Sequence, residues 1–258
     1  MGIMQTDEWL LDSYDDPISL CKRLKPYFQD SSPQDIHYYL TSNGMYHRPA
    51  SENKDMVDKM HHQHVWKIVD EQRKHLQKLW EGPDVPIFIF PADPQNRMIQ
   101  RDFHGKAGIT FPDKIFLFVS DYNEKEDIQA LFTHEYNHVC RMKLFSKNEA
   151  NNRLIDSIIM EGLAEHAVSE QVGKAHLAGW TSYYSSKQLD GFWKKWVKPN
   201  KDLPKFRHKH FDLLFGTGLY PKMLGYCVGY FLVEKYIQKH KSSSKELLHT
   251  PSYQLAGG

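Results

Sequence analysis

Cysteine is scarce in this chain: three in 258 residues, at positions 21, 140 and 227, with no CxxC pair. That number and spacing exclude a disulfide framework or a thiolate metal site, and fit buried thiols in a reducing compartment. Long apolar runs are missing too. The densest, residues 87–90 and 115–119, fall far short of the roughly 20 residues a helix needs to cross a bilayer, so no membrane span is expected. Residues 1–10 contain Asp7 and Glu8 but no lysine or arginine, and build no apolar core of a secretory signal. The expected location is cytoplasmic. An excess of one charge is also lacking: 33 basic against 32 acidic residues leave a formal charge of +1, so no global field draws the chain to nucleic acid or a membrane.

What is present is a 40% apolar composition, enough for a substantial core, and 15 histidines. Histidine is the commonest metal ligand and a frequent acid or base near neutral pH. Residues 1–81 read as a helical N-terminal region, broken near residues 31–35 and 43–51, with one long amphipathic segment through Val57, Val65, Ile68, Val69, Leu76 and Leu79. Residues 87–90, 106–111 and 114–119 are rich in isoleucine, valine and phenylalanine between Pro, Gly and Asp punctuation, and read as strands, the last two joined tightly at Pro112 and Asp113. Asn123 with Glu126 has the form of a cap opening a helix of about five turns, and a second helical pattern runs from Leu154 to a capping Gly173. Residues 180–240 are mostly helical with aromatic anchors, and residues 241–258 read as a polar tail. Helices, then strands, then helices predict an α+β fold, mostly helical with a small mixed sheet, in which residues 82–240 form the catalytic region.

Residues 134–138 spell His134, Glu135, Tyr136, Asn137 and His138. Side chains four apart on a helix lie one above the other, so both imidazoles reach one zinc ion while Glu135, about 100 degrees round, addresses water on it. On the following helix Glu161 and Glu165 are again four apart, on a face shared with Leu154 and Ile158. Two carboxylates facing packed protein demand a counter-charge. Glu161 is assigned as third ligand, and Glu165 as acceptor of a ring N–H from a ligating histidine. Gly162 lets two helices approach closely. One Zn2+ per chain is expected.

These residues resemble the gluzincin branch of the zincin metallopeptidases. More narrowly, Thr133 to Val139 with Arg141, Asp156 to Ile158 with Glu161 to His166, and Gly225, Tyr226, Gly229 and Tyr230 resemble the bacterial family of predicted Zn-dependent proteases similar to YjaZ. The resemblance covers about residues 80–238. Met160 departs from it, standing where related metallopeptidases often have asparagine before the third ligand. The resemblance implies a zincin-like fold beside the HExxH helix and hydrolysis of peptide bonds by a zinc-activated water, with Glu135 as general base. It also implies an edge strand for the substrate, with small residues Gly105, Ala107 and Gly108 at its start, and Tyr226 as oxyanion donor. Tyr220, His208 and His210 are weaker donors. The partner is then a peptide or protein. A zinc hydrolase of a small non-peptide amide fits the same motif, and so does a non-enzymatic zinc-stabilised binding protein.

Arg141 is read as a surface arginine, with Asp156 as its candidate partner. His61, His62 and His64 read as a solvated helix face. Residues 194–210 carry +6 with Trp193, Trp196 and Phe206 interleaved, against −5 for the rest of the chain. They read as a solvated loop, with acidic substrates ahead of nucleic acid as ligands. Oligomeric state leaves no mark on the sequence.

Overall fold

Strands buried on both faces read as near-continuous apolar runs rather than alternating ones, and residues 87–90 and 115–119 are of that kind. In the computed structural model, which describes residues 2–48, 54–145 and 151–257, β1 (Ile87–Pro91) pairs in parallel with β3 (Lys114–Val119). The edge strand β2 (Ala107–Phe111) runs antiparallel to β3, giving the order β1-β3-β2. Every residue of β1 and β3 is buried, whereas those of β2 are only half-buried.

Side chains alternate across this sheet. Phe88, Phe90, Phe116 and Phe118 face a cluster built by Leu10, Leu20, Leu24, Ile36, Leu40 and other residues of the N-terminal helices. Those helices are α1 (Thr6–Ser13), α2 (Pro17–Leu24), α3 (Pro33–Ser42), α4 (Lys54–His62) and α5 (Val65–Trp80). α3 starts where its sequence says it should, because Ser32 and Asp35 form a reciprocal capping box before Pro33. α4 and α5 replace the single amphipathic segment expected from the periodicity: His64 adopts a left-handed backbone (φ 57°) that ends one helix before the other begins. The predicted break at residues 43–51 lies partly outside the described residues.

The chain divides into two compact units, the first ending at Val139 and the second starting at Cys140. The first holds α1 to α5, the sheet, the short α6 (Arg97–Asp102) and most of α7 (Lys125–Leu144). The helices up to Trp80 and the sheet therefore share one unit and one core. α7 begins where expected, but Asn123 does not cap it. Its side chain accepts from the Ser120 N–H and donates to the His104 carbonyl, and Asp127 takes the Glu124 N–H instead.

The second unit contains α8 (Leu154–Gln171), α9 (Ser186–Phe192), α10 (His208–Phe215), α11 (Leu224–His240), α12 (Ser244–Leu248) and α13 (Ser252–Leu255). α8 ends at a glycine in the left-handed half of backbone space, Gly173 (φ 121°). α8 and α11 cross at their backbones: a Cβ on Gly162 would lie 2.4 Å from the Gly229 carbonyl oxygen, and one on Gly229 would lie 1.8 Å from that of Ile158. Gly162 thus serves the α8–α11 contact. Gly225 and Gly229, four apart, present the small face that such a crossing needs. The expected polar tail is instead folded: Leu247, Leu248 and Leu255 are buried, and Ser243 and Glu246 box the start of α12. Its polar residues are capping residues, which composition does not separate from loop residues. The fold is α+β, mostly helical with a three-stranded mixed sheet. No helix among the described residues is long and apolar enough to cross a membrane.

Candidate metal centre

α7 carries His134, Glu135 and His138 in its last three turns, and the residues between them are fastened to other elements. Thr133, fully buried, accepts from Gln72 Nε2 of α5 at 3.0 Å, and Gln129 donates to Gln72 Oε1. The Tyr136 hydroxyl donates to the Pro83 carbonyl at 3.0 Å, its ring stacking on Phe132 and on Trp80. The rotation of the helix is thereby set on both sides of His134.

The two imidazoles lie edge to face, ring centroids 4.6 Å apart, as one-turn spacing requires. One donor atom each from His134, His138 and Glu161 lie within 4.8 Å of one another, and among the described residues this is the only such cluster of His, Cys, Asp or Glu side chains. Two imidazole nitrogens and a carboxylate oxygen are the donor set of a three-ligand catalytic zinc site, so the residues present fit that ion. His138 and Glu161 are buried and His134 is half-buried. The cysteines stay apart from this chemistry: all three are buried and none forms a disulfide, and burial pushes the Cys21 and Cys227 thiols up to about 12.

Glu135, 7% exposed, is held by the edge strand. The Thr110 hydroxyl of β2 lies 2.5 Å from Oε2, to which it donates, and 3.1 Å from the main-chain carbonyl of Glu135. Two residues along the same strand face, Gly108 leaves room for the acid: a Cβ there would lie 2.4–2.5 Å from Cδ, Cγ and Oε1 of Glu135. Gly108 was singled out in the sequence as a place for substrate to approach, and in the structure it accommodates the acid. Thr110 has no signal of its own in the sequence. It becomes visible only once the register of β2 puts residues 108 and 110 on the face toward α7. Gln72, buried on an amphipathic helix, could have been suspected as a polar residue at an apolar position.

The other expected residues take varied places. Ala107 pairs with Phe118 in the sheet and turns to the opposite face. Gly105 (φ 68°) sits in the turn before β2, where its carbonyl accepts from Ser120 and any Cβ would strike the Tyr122 hydroxyl. Glu165 is buried and its Oε2 accepts the Ala178 N–H at 2.9 Å, fixing the segment after α8. Tyr226, in the first turn of α11, is half-buried between Trp180 and Phe215, with ring centroids at 5.3 and 5.6 Å. Tyr220 lies edge-on to Trp196, and exposed His208 pairs with Asp212. His210 is a core residue, its ring between Ser157 Oγ and the Leu203 carbonyl.

Arg141 is not at the surface: it is 5% exposed and donates to the carbonyls of Leu247 and Leu248 and to Ser252 Oγ. Burial pulls it down to about 10, opposed by the charge of Asp156. The acid expected as its partner instead caps α8 through the Arg153 N–H. His61 stacks on Trp66, and His62 lies against the Asp58 carbonyl.

Residues 65–256 match the family model described as "Predicted Zn-dependent protease (DUF2268)". The chain belongs to this family. It is 37% identical to the "Uncharacterized protein YjaZ" of Bacillus subtilis (strain 168), over 98% of this chain and 97% of that protein. A second Bacillus subtilis protein, "Uncharacterized protein YjfC", is 23% identical over 63% of this chain and 57% of its own length. No solved structure matches.

Proposed function

We propose that this member of the family is a zinc-dependent peptidase of the HExxH gluzincin type, with a zincin-like catalytic region. His134, His138 and Glu161 would hold one zinc ion. The observation that carries this reading is Glu135, a buried acid beside the donor cluster, given a hydroxyl partner by Thr110 and room by Gly108. A purely structural metal site has no use for such an acid.

When bound, zinc lowers the pKa of a coordinated water to about 7 and polarises the scissile carbonyl. Glu135 accepts a proton from the attacking water at a carboxylate oxygen and delivers it to the leaving nitrogen. The Thr110 hydrogen bond holds that carboxylate in one orientation throughout. The outer edge of β2, which pairs with no strand among the described residues, offers its main chain to an extended peptide. Tyr226 donates its hydroxyl to the carbonyl oxygen as charge develops there, and Glu165 accepts a ring N–H from a zinc-holding histidine.

The test is zinc analysis together with proteomic cleavage profiling of the wild type and Glu135→Gln. The expected outcome is equal zinc content and a loss of cleavage of about 10^2- to 10^4-fold, the usual share of general acid–base catalysis. Equal zinc content with no cleavage by either protein would sink the peptidase reading. Zinc lost on changing Glu165 but kept on changing Glu161 would overturn the ligand set.

A further inference from the structure

β2 shows two different faces. Gly108 and Thr110 meet Glu135, while Ala107, Ile109 and Phe111 pack on the other side, against the cluster of the N-terminal helices. On that second side, at the Phe111 end of the strand, a shallow depression of about 380 Å³ opens to solvent. Its walls are Phe28, Ile36, Tyr38, Tyr39 and Phe111, with Asp35 among the lining residues. Phe111 lies 5.9 Å from both Phe28 and Tyr39, ring to ring. Tyr38 and Tyr39 are 75% and 41% exposed, although α3 buries Ile36 and Leu40 beside them.

We propose that this depression is a subsite for an aromatic or large apolar side chain of a peptide lying along the outer edge of β2. The inference rests on the peptidase reading and adds a substrate preference to it. In a strand added to a sheet edge, successive side chains alternate between the faces. A peptide positioned so that its reacting bond meets Glu135, opposite Gly108, directs alternate residues to the tyrosine side. Gly108 and Phe111 are three residues apart, roughly 10 Å at about 3.4 Å per residue. An odd separation of that size both reaches the depression and changes face, so the residue about three positions from the cleaved bond enters it.

The lining also selects the occupant. Lys114 Nζ sits over the Phe111 and Phe28 rings, 4.3 and 5.3 Å from their centroids, which opposes a cationic guest. That ammonium is paired with Asp113 at 2.9 Å, and the Asp35 carboxylate is turned to the Ser32 N–H and hydroxyl, so neither is set to hold a charged side chain. What is left for recognition is ring surface, to which an aromatic side chain adds edge-to-face contacts and apolar burial.

The experiment measures binding of two fluorescently labelled dodecapeptides, built of serine and threonine and differing by one central Phe or Ser, to the full-length Glu135→Gln protein. The Phe peptide should bind about tenfold tighter, and the gain should vanish when Tyr38→Ala and Tyr39→Ala are added. Tyr38→Ala alone, at a side chain largely in solvent, preserves folding and should remove part of the gain. Equal affinities, or a gain that survives in the triple variant with its thermal unfolding unchanged, overturn the subsite. Wild-type digests of a peptide library separate the two readings. Cleavage with no aromatic enrichment about three residues from the bond leaves the peptidase standing and sinks the subsite, whereas Phe-dependent binding without cleavage of any peptide does the reverse.

Discussion

α7 and α8, the helices that bear the candidate ligands, are held in opposite ways. Around His134 and Glu135, α7 is fastened by side-chain hydrogen bonds to partners far off in the sequence: Gln72, Pro83 and Thr110. α8 is held around Glu161 by backbone proximity, with Gly162 and Gly229 letting α11 lie against it. Hydrogen bonds of this kind are directional and individually worth about 1 kcal/mol, so they orient a helix more than they stabilise it. A glycine-lined crossing is the reverse: non-directional, but intolerant of a single added methyl in a close-packed interior. The difference teaches that changes to the partners of α7 around His134 and Glu135 should show in chemistry, and changes to the packing of the second unit, at the α8–α11 crossing or under Arg141 at the end of α7, in stability.

The largest expected effect breaks the crossing. Gly229→Ala would ordinarily raise helix propensity by about 1 kcal/mol, but a Cβ 1.8 Å from the Ile158 carbonyl oxygen cannot be housed without moving backbone. The clash should win, with net destabilisation of roughly 2 kcal/mol or more, read as a fall in thermal midpoint of at least about 4 °C. A rise in the midpoint would show that the two helices are not in contact there. Arg141→Ala comes next. It leaves the carbonyls of Leu247 and Leu248 without their buried donor, and a loss of about 2–3 kcal/mol is expected in urea titrations. An unchanged midpoint would detach residues 241–257 from the fold.

Thr110→Val sharpens the contrast from the other side. It keeps the shape of the side chain and removes the donor to Glu135, so kcat should fall about tenfold, with KM, zinc content and thermal midpoint unchanged, and Thr110→Ser should restore most of the loss. A change in stability with kcat intact would show that the hydroxyl serves packing alone. The smallest effect is a dependence on pH. Burial lowers the pKa of His210, so the unfolded chain binds a proton there that the native one refuses. Its contribution to stability is therefore complete above the unfolded value, about 6.5, and declines as pH falls below it. His37, also lowered by burial and by His47, adds in the same sense. Urea midpoints at pH 7.5 and 5.5 should differ less in His210→Gln than in the wild type.

Much of the fold was legible because it is written in short windows. The strands at 87–91 and 107–111 and the start of α7 follow from punctuation and apolar runs within a few residues of themselves. The family followed from two motifs, and the donor cluster drew together the two histidines and the glutamate that their spacing had singled out. Other readings went astray where the deciding partner was remote. Asn123 had the look of a cap, but its side chain turned to His104 and Ser120; Arg141 looked like a surface residue, but lies under carbonyls more than 100 positions on. Residues 241–257 looked polar because serine and glutamate that cap helices are the same residues that fill loops.

By itself, then, the sequence singled out the candidate metal-binding residues, since the helical repeat of 3.6 places residues four apart on one face whatever surrounds them. It determined the α+β class for the same reason, because period and punctuation are local. Only the tertiary structure decided what stands around the acid. Thr110 and Gly108 reach Glu135 through the register of β2 against β3, and the Gly162 contact depends on how α11 lies on α8. The packing of that hairpin on α7 and the crossing of α11 on α8 each join segments tens of residues apart, so no short window of the sequence contains both partners.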